Sequence, residues 1–278
     1  MKLVIFILSV LLVLSANAGE PITIRLAVIN SKNDLRHEYS QQLQKLIIAS
    51  SPADIEVDWV PFPSDQQHRV LLDNHAIDVF AMPSDEKLEQ QYHAIRYPIF
   101  KGLMGYRLML VKNENRQILE KITDIQALKQ FTIGQGSQWQ DTKIFSENGF
   151  VVITSRHYNR LFEMLGKNRF ELFPRSILEI WREEQTFSTL GISVEPNIIL
   201  HYPLAMFYFI RKNEPELRQA LENGFKVAIE NGSFDALFNK YHEGFIKRAK
   251  LEQRTLIEIP NSFAPNIPSD ETALYITL

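Results

Sequence analysis

The chain has 278 residues, 45% of them hydrophobic, enough to bury the core of one large domain or of two lobes. Its 30 basic and 33 acidic residues are interspersed and leave a net charge of -3, so no basic block marks it for nucleic acid or an anionic membrane surface. Cysteine is absent, which excludes a disulfide framework, a cysteine lipid anchor and thiolate metal sites; the scattered histidines form no HExxH or carboxylate-paired set, so no metal or other cofactor is expected.

Residues 1–18 read as a signal peptide. Lys2 supplies a positive start, residues 3–14 are apolar apart from Ser9, and Ala16-Asn17-Ala18 fits a small-x-small cleavage site. The apolar run is shorter than the roughly 20 residues that span a bilayer. A mature chain beginning at Gly19 in the periplasm is expected.

ITIRLAVI, Ile22–Ile29, alternates and predicts a first strand. Asn33 is placed to cap a helix running to about Ala49, with Leu35, Leu43, Leu46 and Ile47 on its apolar side. A second strand over 55–60 stops before Pro61 and Pro63, Ser64 caps a helix reaching Leu72, and 77–82 is a third strand. This strand-helix alternation is the signature of an α/β layer with a largely parallel sheet. It recurs after residue 110: helix 124–129, strand 131–134, helix 138–147 closed by Asn148-Gly149, strand 151–154, helix 158–165, strand 169–173 and helix 177–184. The β-rich segments 105–111 and 205–211 are the expected crossings between the two units. Asn213 and Glu216 have capping-box spacing before a long helix that ends at Asn231-Gly232, and Ser233 starts the last helix. From residue 251 three prolines and no helical period predict an extended surface tail.

The most informative stretch is FTIGQGSQWQD, residues 131–141. A strand, a Gly-x-Gly turn and a Ser able to cap a new helix bring free backbone N–H groups to a strand end, a place suited to a carboxylate or phosphate. Gly136, Ser137 and Gln138 are therefore candidate ligand contacts, although an ordinary helix cap would use the same atoms. Trp139 is placed to stack on a ligand or to pack between lobes. Arg175, after Pro174, either forks onto a ligand carboxylate or pairs with one of the nearby glutamates. Arg107, beside Tyr106 in an apolar strand, needs a partner, which is a ligand or a carboxylate at the hinge. Tyr97, Asn30 and Ser84 complete the set at strand ends of the first unit.

The order of motifs resembles the type 2 periplasmic solute-binding proteins, nearest to the amino-acid-binding family 3 group, over roughly residues 22–248. The residues that carry this are Leu128-Lys129 through Gly134 with Gly136-Ser137, Leu165-Gly166 with Arg169-Phe170-Glu171, and the Lys212 to Leu217 segment followed by Asn231-Gly232-Ser233 and Tyr241. The resemblance implies an α/β fold of two lobes, each a mostly parallel sheet flanked by helices. Residues 19–108 plus 209–250 would form the first lobe, 109–208 the second, and 251–278 the tail. It implies a monomer that traps a small ligand and presents it to an inner-membrane ABC permease or a sensor protein. In that family a Thr-x-x-Arg after the third strand clamps an amino acid carboxylate; here 82–87 reads MPSDEK, with no arginine before Arg96. The position of the amine-binding Asp falls on Ser176, beside Arg175. The resemblance therefore implies the binding mode without amino acid specificity, and a polar or carboxylate-bearing metabolite is the expected ligand. Two alternatives stand beside it: a regulatory interaction protein with a vestigial cleft, and a lyase or dehydratase on the same scaffold, for which Glu171 is the available acid or base.

Overall fold

The computed structural model describes residues 21–29, 38–62, 68–264 and 274–276. The expected signal peptide, Asn30, Asn33 and Ser64 lie outside the described residues.

The first lobe opens with β1 (Ile22–Ile29), α1 (Glu38–Ser50), β2 (Ile55–Phe62), α2 (His68–Asp73), β3 (Phe80–Pro83), α3 (Glu86–Gln91) and β4 (His93–Ile95). The chain enters the second lobe with β5 (Tyr106–Lys112), then α4 (Ile125–Leu128), β6 (Ile133–Gly136), α5 (Gln140–Glu147), β7 (Val152–Ser155), α6 (Tyr158–Gly166), β8 (Phe173–Ser176), α7 (Ile180–Thr186), β9 (Ile192–Val194) and β10 (Ile198–His201). It returns with β11 (Met206–Ile210), α8 (Pro215–Glu230) and α9 (Ser233–Ala249), and ends in β12 (Thr255–Glu258).

Pairing explains the architecture. In the first lobe β1 and β2 run parallel, Leu26 bridges Val79 in the same sense, and β11 lies antiparallel between β3 and β4. In the second, β6 and β7 run parallel, Ile133 bridges Leu172 in the same sense, and β5 lies antiparallel to β8, β9 and β10. Each lobe is thus a parallel sheet with one reversed strand. That strand is the one that has just arrived from the other lobe, so it enters its sheet from the opposite end.

This pairing moves the expected lobe boundaries. All of β5 belongs to the second sheet and all of β11 to the first, so divisions at 108 and 208 would cut through strands. The crossings are 96–105 and 202–205. Gly105 sits at one of them because a Cβ there would lie 2.1 Å from the Tyr202 carbonyl of the other.

Four local readings are corrected. Helix α5 begins at Gln140 with Trp139 in the capping position, so Ser137 lies outside it. Helix α8 begins after Glu214 with no side-chain cap, so Asn213 and Glu216 form no capping box. The tail carries a strand: β12 pairs parallel with β10 and buries Ile257 and Ile259. Beyond it, Asn261 donates to the Pro203 carbonyl at 2.8 Å and the Ile276 N–H to the Lys101 carbonyl at 2.9 Å. The tail therefore holds on to both crossings. Pro61 does not end β2, which runs on to Phe62; β2 pairs only with β1 among the described residues, and an edge position tolerates a missing N–H.

Candidate functional site

Between the lobes lies a cleft of about 770 Å³. Its first-lobe wall comes from the carboxyl ends of β1 and β3 and from α1, α2 and β11; its second-lobe wall comes from the β6–α5 turn, β5 and β8. Gly136, Ser137, Gln138, Trp139, Arg107 and Arg175 line it, whereas Tyr106 and Ser176, the other second-lobe candidates, do not.

The turn after β6 owes its glycines to packing. A Cβ on Gly134 would lie 2.1 Å from the Phe170 ring, and one on Gly136 would lie 2.4 Å from the Trp139 indole. Trp139 folds back over Gly136, lies parallel to Phe173 with ring centroids 6.4 Å apart, and sits 4.7 Å under the Arg175 guanidinium. Ser137 and Gln138 are exposed to the cleft, and the Ser137 N–H is taken by the Ser155 carbonyl at 3.0 Å.

Both arginines are buried and paired within the chain. The Arg175 Nε and Nη2 reach the Glu183 carboxylate at 2.7–2.9 Å, and Nη2 lies 3.0 Å from Glu179. Arg107 Nη2 meets Asp141 at 2.6 Å, its Nη1 lies 3.9 Å from Glu179, and its Nε donates to the Tyr202 hydroxyl at 2.8 Å. Tyr202 in turn donates to Asp141 in a short hydrogen bond. Burial alone would lower both guanidinium pKa values, but Asp141 for Arg107, and Glu179 and Glu183 for Arg175, hold them above the usual arginine value. Burial, reinforced by Asp141, pushes the Tyr202 phenol well up, so it stays a neutral donor despite Arg107.

The arginines thus form the positive half of a built network. Of the two partners expected for each, an internal carboxylate is the one present. Asp141 and Tyr202 are the residues that sequence reasoning passed over; Glu179 and Glu183 are the nearby glutamates it offered as partners of Arg175. Asp141 did carry a signal: it stands in the first turn of α5, where the helix dipole favours a negative charge. It puts an internal carboxylate at the helix start where the sequence suggested a ligand anion.

The remaining candidates lie elsewhere. Ser176 is buried, with its hydroxyl 3.4 Å from the Leu103 carbonyl and accepting from the Leu178 N–H. Tyr106 stacks on His201 at 4.1 Å, and Tyr97 stacks on Phe225 of α8 at 4.6 Å. Ser84 is buried and its hydroxyl donates to Glu89 at 2.6 Å. Its carbonyl matters more, because it accepts from Gln140 Nε2 of the opposite lobe at 3.3 Å. A second tie joins the lobes where Arg182 of α7 meets Glu38 of α1 at 3.2 Å. Glu171 accepts from the Thr132 N–H and hydroxyl at 2.9 and 3.1 Å and does not line the cleft.

Among the described residues no group of His, Cys, Asp and Glu is arranged to hold a metal ion, and no helix is long and apolar enough to cross a membrane. No protein-family model matches the sequence, and no curated protein is similar to it in sequence. Solved structures are similar in fold. An ancestral arginine-binding protein bound to arginine superposes with a TM-score of 0.60 at 16% identity, over 79% of this chain and 97% of that one. The GluR0 ligand-binding core from Nostoc punctiforme, in complex with L-glutamate, gives 0.57 at 15% identity over 80% and 99%. The periplasmic VFT2 domain of Bordetella pertussis BvgS gives 0.62 at 11% identity over 79% and 93%. The chain has the two-lobed fold of periplasmic binding proteins, at 11–16% sequence identity to these solved examples.

Proposed function

We infer that the mature chain is an exported solute-binding protein. One small molecule enters the cleft, the lobes rotate about the crossings at 96–105 and 202–205, and the closed form is presented to an inner-membrane ABC permease or a sensor protein in the periplasm. The observation that carries this reading is the cleft itself, about 770 Å³ in volume, open to solvent and lined from both lobes at the carboxyl ends of their strands. The volume falls in the range that encloses a metabolite-sized ligand. We read the protein as a binder, not a catalyst, since Glu171 is engaged with Thr132 away from the cleft.

One observation favours a regulatory reading. Arg107 and Arg175 are neutralised internally, and Gln140–Ser84 and Arg182–Glu38 already tie the lobes. A protein so held could signal to a partner without a ligand. Denaturing the protein purified from its native host and analysing the released small molecules by mass spectrometry separates the two. A compound recovered in proportion to protein supports solute binding, whereas protein that yields none and shows no thermal shift with any metabolite supports the ligand-free regulator.

A further inference from the structure

Helix α9, SFDALFNKYHEGFIKRA, buries Phe234, Phe238, His242 and Ala249 along one stripe. The two ends of the helix are held by different lobes. Its first half belongs to the first lobe: Phe234 meets Phe225 of α8 and Phe238 meets Tyr39 of α1, both edge to face with ring centroids 6.1 Å apart. Its second half is seated on α7 of the second lobe. There the Trp181 indole N–H donates to the Phe245 carbonyl at 3.1 Å, Arg248 lies 4.3 Å over the same indole, and its Nη2 reaches Glu184 at 2.8 Å. Arg254 fastens the end of the helix. Its Nε donates to the Ala249 carbonyl at 2.7 Å, and its Nη1 donates to the Glu195 and Ile198 carbonyls of the second lobe at 2.6 and 3.1 Å. The chain then enters β12 of the second-lobe sheet.

The chain thus passes between the lobes a third time, through α9. A helix differs from the segments 96–105 and 202–205, because its ladder of backbone hydrogen bonds fixes its length. Resting on the lobe rotation of the solute-binding reading, we propose that α9 is a strut between the lobes, and that its seat on α7 restrains how far the cleft opens. Opening then requires Trp181 and Arg248 to part. The Arg248–Glu184 pair adds little by itself, since the Arg248 side chain is more than half exposed. The hydrogen bond to Phe245 and the stack on Trp181 carry the seat. Trp181 is buried in the same apolar cluster as Tyr39 and Phe238 of the first lobe, so pulling α7 away would also wet its ring.

Double electron–electron resonance on the full mature protein, with no ligand added, tests this. The chain has no cysteine, so Val70→Cys in the first lobe and Val151→Cys in the second, at positions half exposed or more, take spin labels without competition. With the seat intact, one narrow distribution of interlobe distances is expected. Trp181→Phe combined with Arg248→Ala removes the N–H and the guanidinium but keeps an aromatic ring in the core. It should raise the ratio of open to seated molecules by about fivefold to thirtyfold, read as a displaced second population. Arg248→Glu, at an exposed position, sets like charges on α7 and α9 and should displace the distribution in the same way, with high salt reversing the change. Lys247→Ala breaks only the pair with Glu243 inside α9 and should leave the distribution as it was. A broad distribution with the seat intact, or distributions that coincide with and without it, overturns the strut. Because no ligand enters, the two readings fail separately. Lobes freed by the variants in a protein that captures no metabolite would leave the strut standing without solute binding, and capture with coinciding distributions would leave solute binding without the strut.

Discussion

Arg175 and Glu183 face each other as a fork, the guanidinium Nε and Nη2 on one carboxylate at 2.7–2.9 Å, with both side chains almost wholly buried. Glu179 closes on the same Nη2 at 3.0 Å, and Trp139 covers the guanidinium from the other side. This arrangement decides how the second lobe presents itself to the cleft, because it fixes the residue that would otherwise be free to seize an anion.

Removing one member of a buried pair leaves the other charged and unsolvated. Arg175→Ala is therefore expected to destabilise the protein by about 3–5 kcal/mol. Arg175→Met is expected to lose a similar amount, and adding Glu183→Leu to it in the variant Arg175→Met/Glu183→Leu should recover at least about half of that loss. Urea denaturation of the wild type, the single variants and the double variant gives the coupling directly. Additive single effects would show that the two side chains are not energetically joined.

Gly136 has to be glycine because Trp139 lies on it. Adding a methyl group in Gly136→Ala places carbon 2.4 Å from the indole, so the ring must swing out. The expected loss is about 1–3 kcal/mol, with a red shift of tryptophan emission that is absent when Trp139 is also replaced. An unshifted spectrum with full stability would mean that the ring does not rest there.

His242 sets an acid limit. It packs among Tyr39, Phe100, Phe238 and Tyr241, its two ring nitrogens lack a hydrogen-bond partner among the described residues, and burial, assisted by Arg182, pushes its pKa down to about 3. The folded state therefore favours neutral imidazole. Its contribution is fully present above the unfolded value near 6.5 and is lost as pH falls towards 3, at up to about 1.4 kcal/mol per pH unit. The checking measurement is the unfolding free energy from pH 7 to pH 4 for wild type and His242→Phe, with the variant expected to lose less stability over that range. Parallel curves would mean that the imidazole is solvated or already charged in the fold.

The last strand is part of the second lobe. Ile257→Ala, in the middle of β12, is expected to cost about 2–4 kcal/mol, since the side chain is buried against the second-lobe core. Leu256→Ala, at a neighbouring position that is about half exposed, should cost under about 1 kcal/mol. Thermal unfolding of the two variants compares them, and equal losses would place the tail off the sheet.

The sequence pattern made the parallel strands and amphipathic helices legible to within a few residues, because their apolar period is set by one buried face. It missed α3 and β4, short elements after the third strand, and β9, β10 and β12, which have no alternation long enough to read and are defined by pairing with β5 or with each other across long stretches of chain. The position of the cleft was legible for a related reason, since it lies where the strands end. The roles of its residues were less so. A Gly-x-Gly turn has the same spelling whether its missing Cβ atoms make room for an anion or for Phe170 and Trp139. Arg175 looks the same in sequence whether its carboxylate comes from a ligand or from Glu183; the spacing to Glu179 and Glu183 was visible, but only the turn from β8 into α7 brings them together.

The most direct measurement is a thermal-shift screen of the mature protein against a metabolite library, repeated with Ser137→Trp. Ser137 is exposed and lines the cleft, so the added indole fills ligand space without disturbing the core. The expected result is at least one small molecule that raises the melting temperature of the wild type and leaves the variant unmoved. A screen with no stabilising compound, or one in which wild type and variant respond alike, would contradict ligand capture in this cleft.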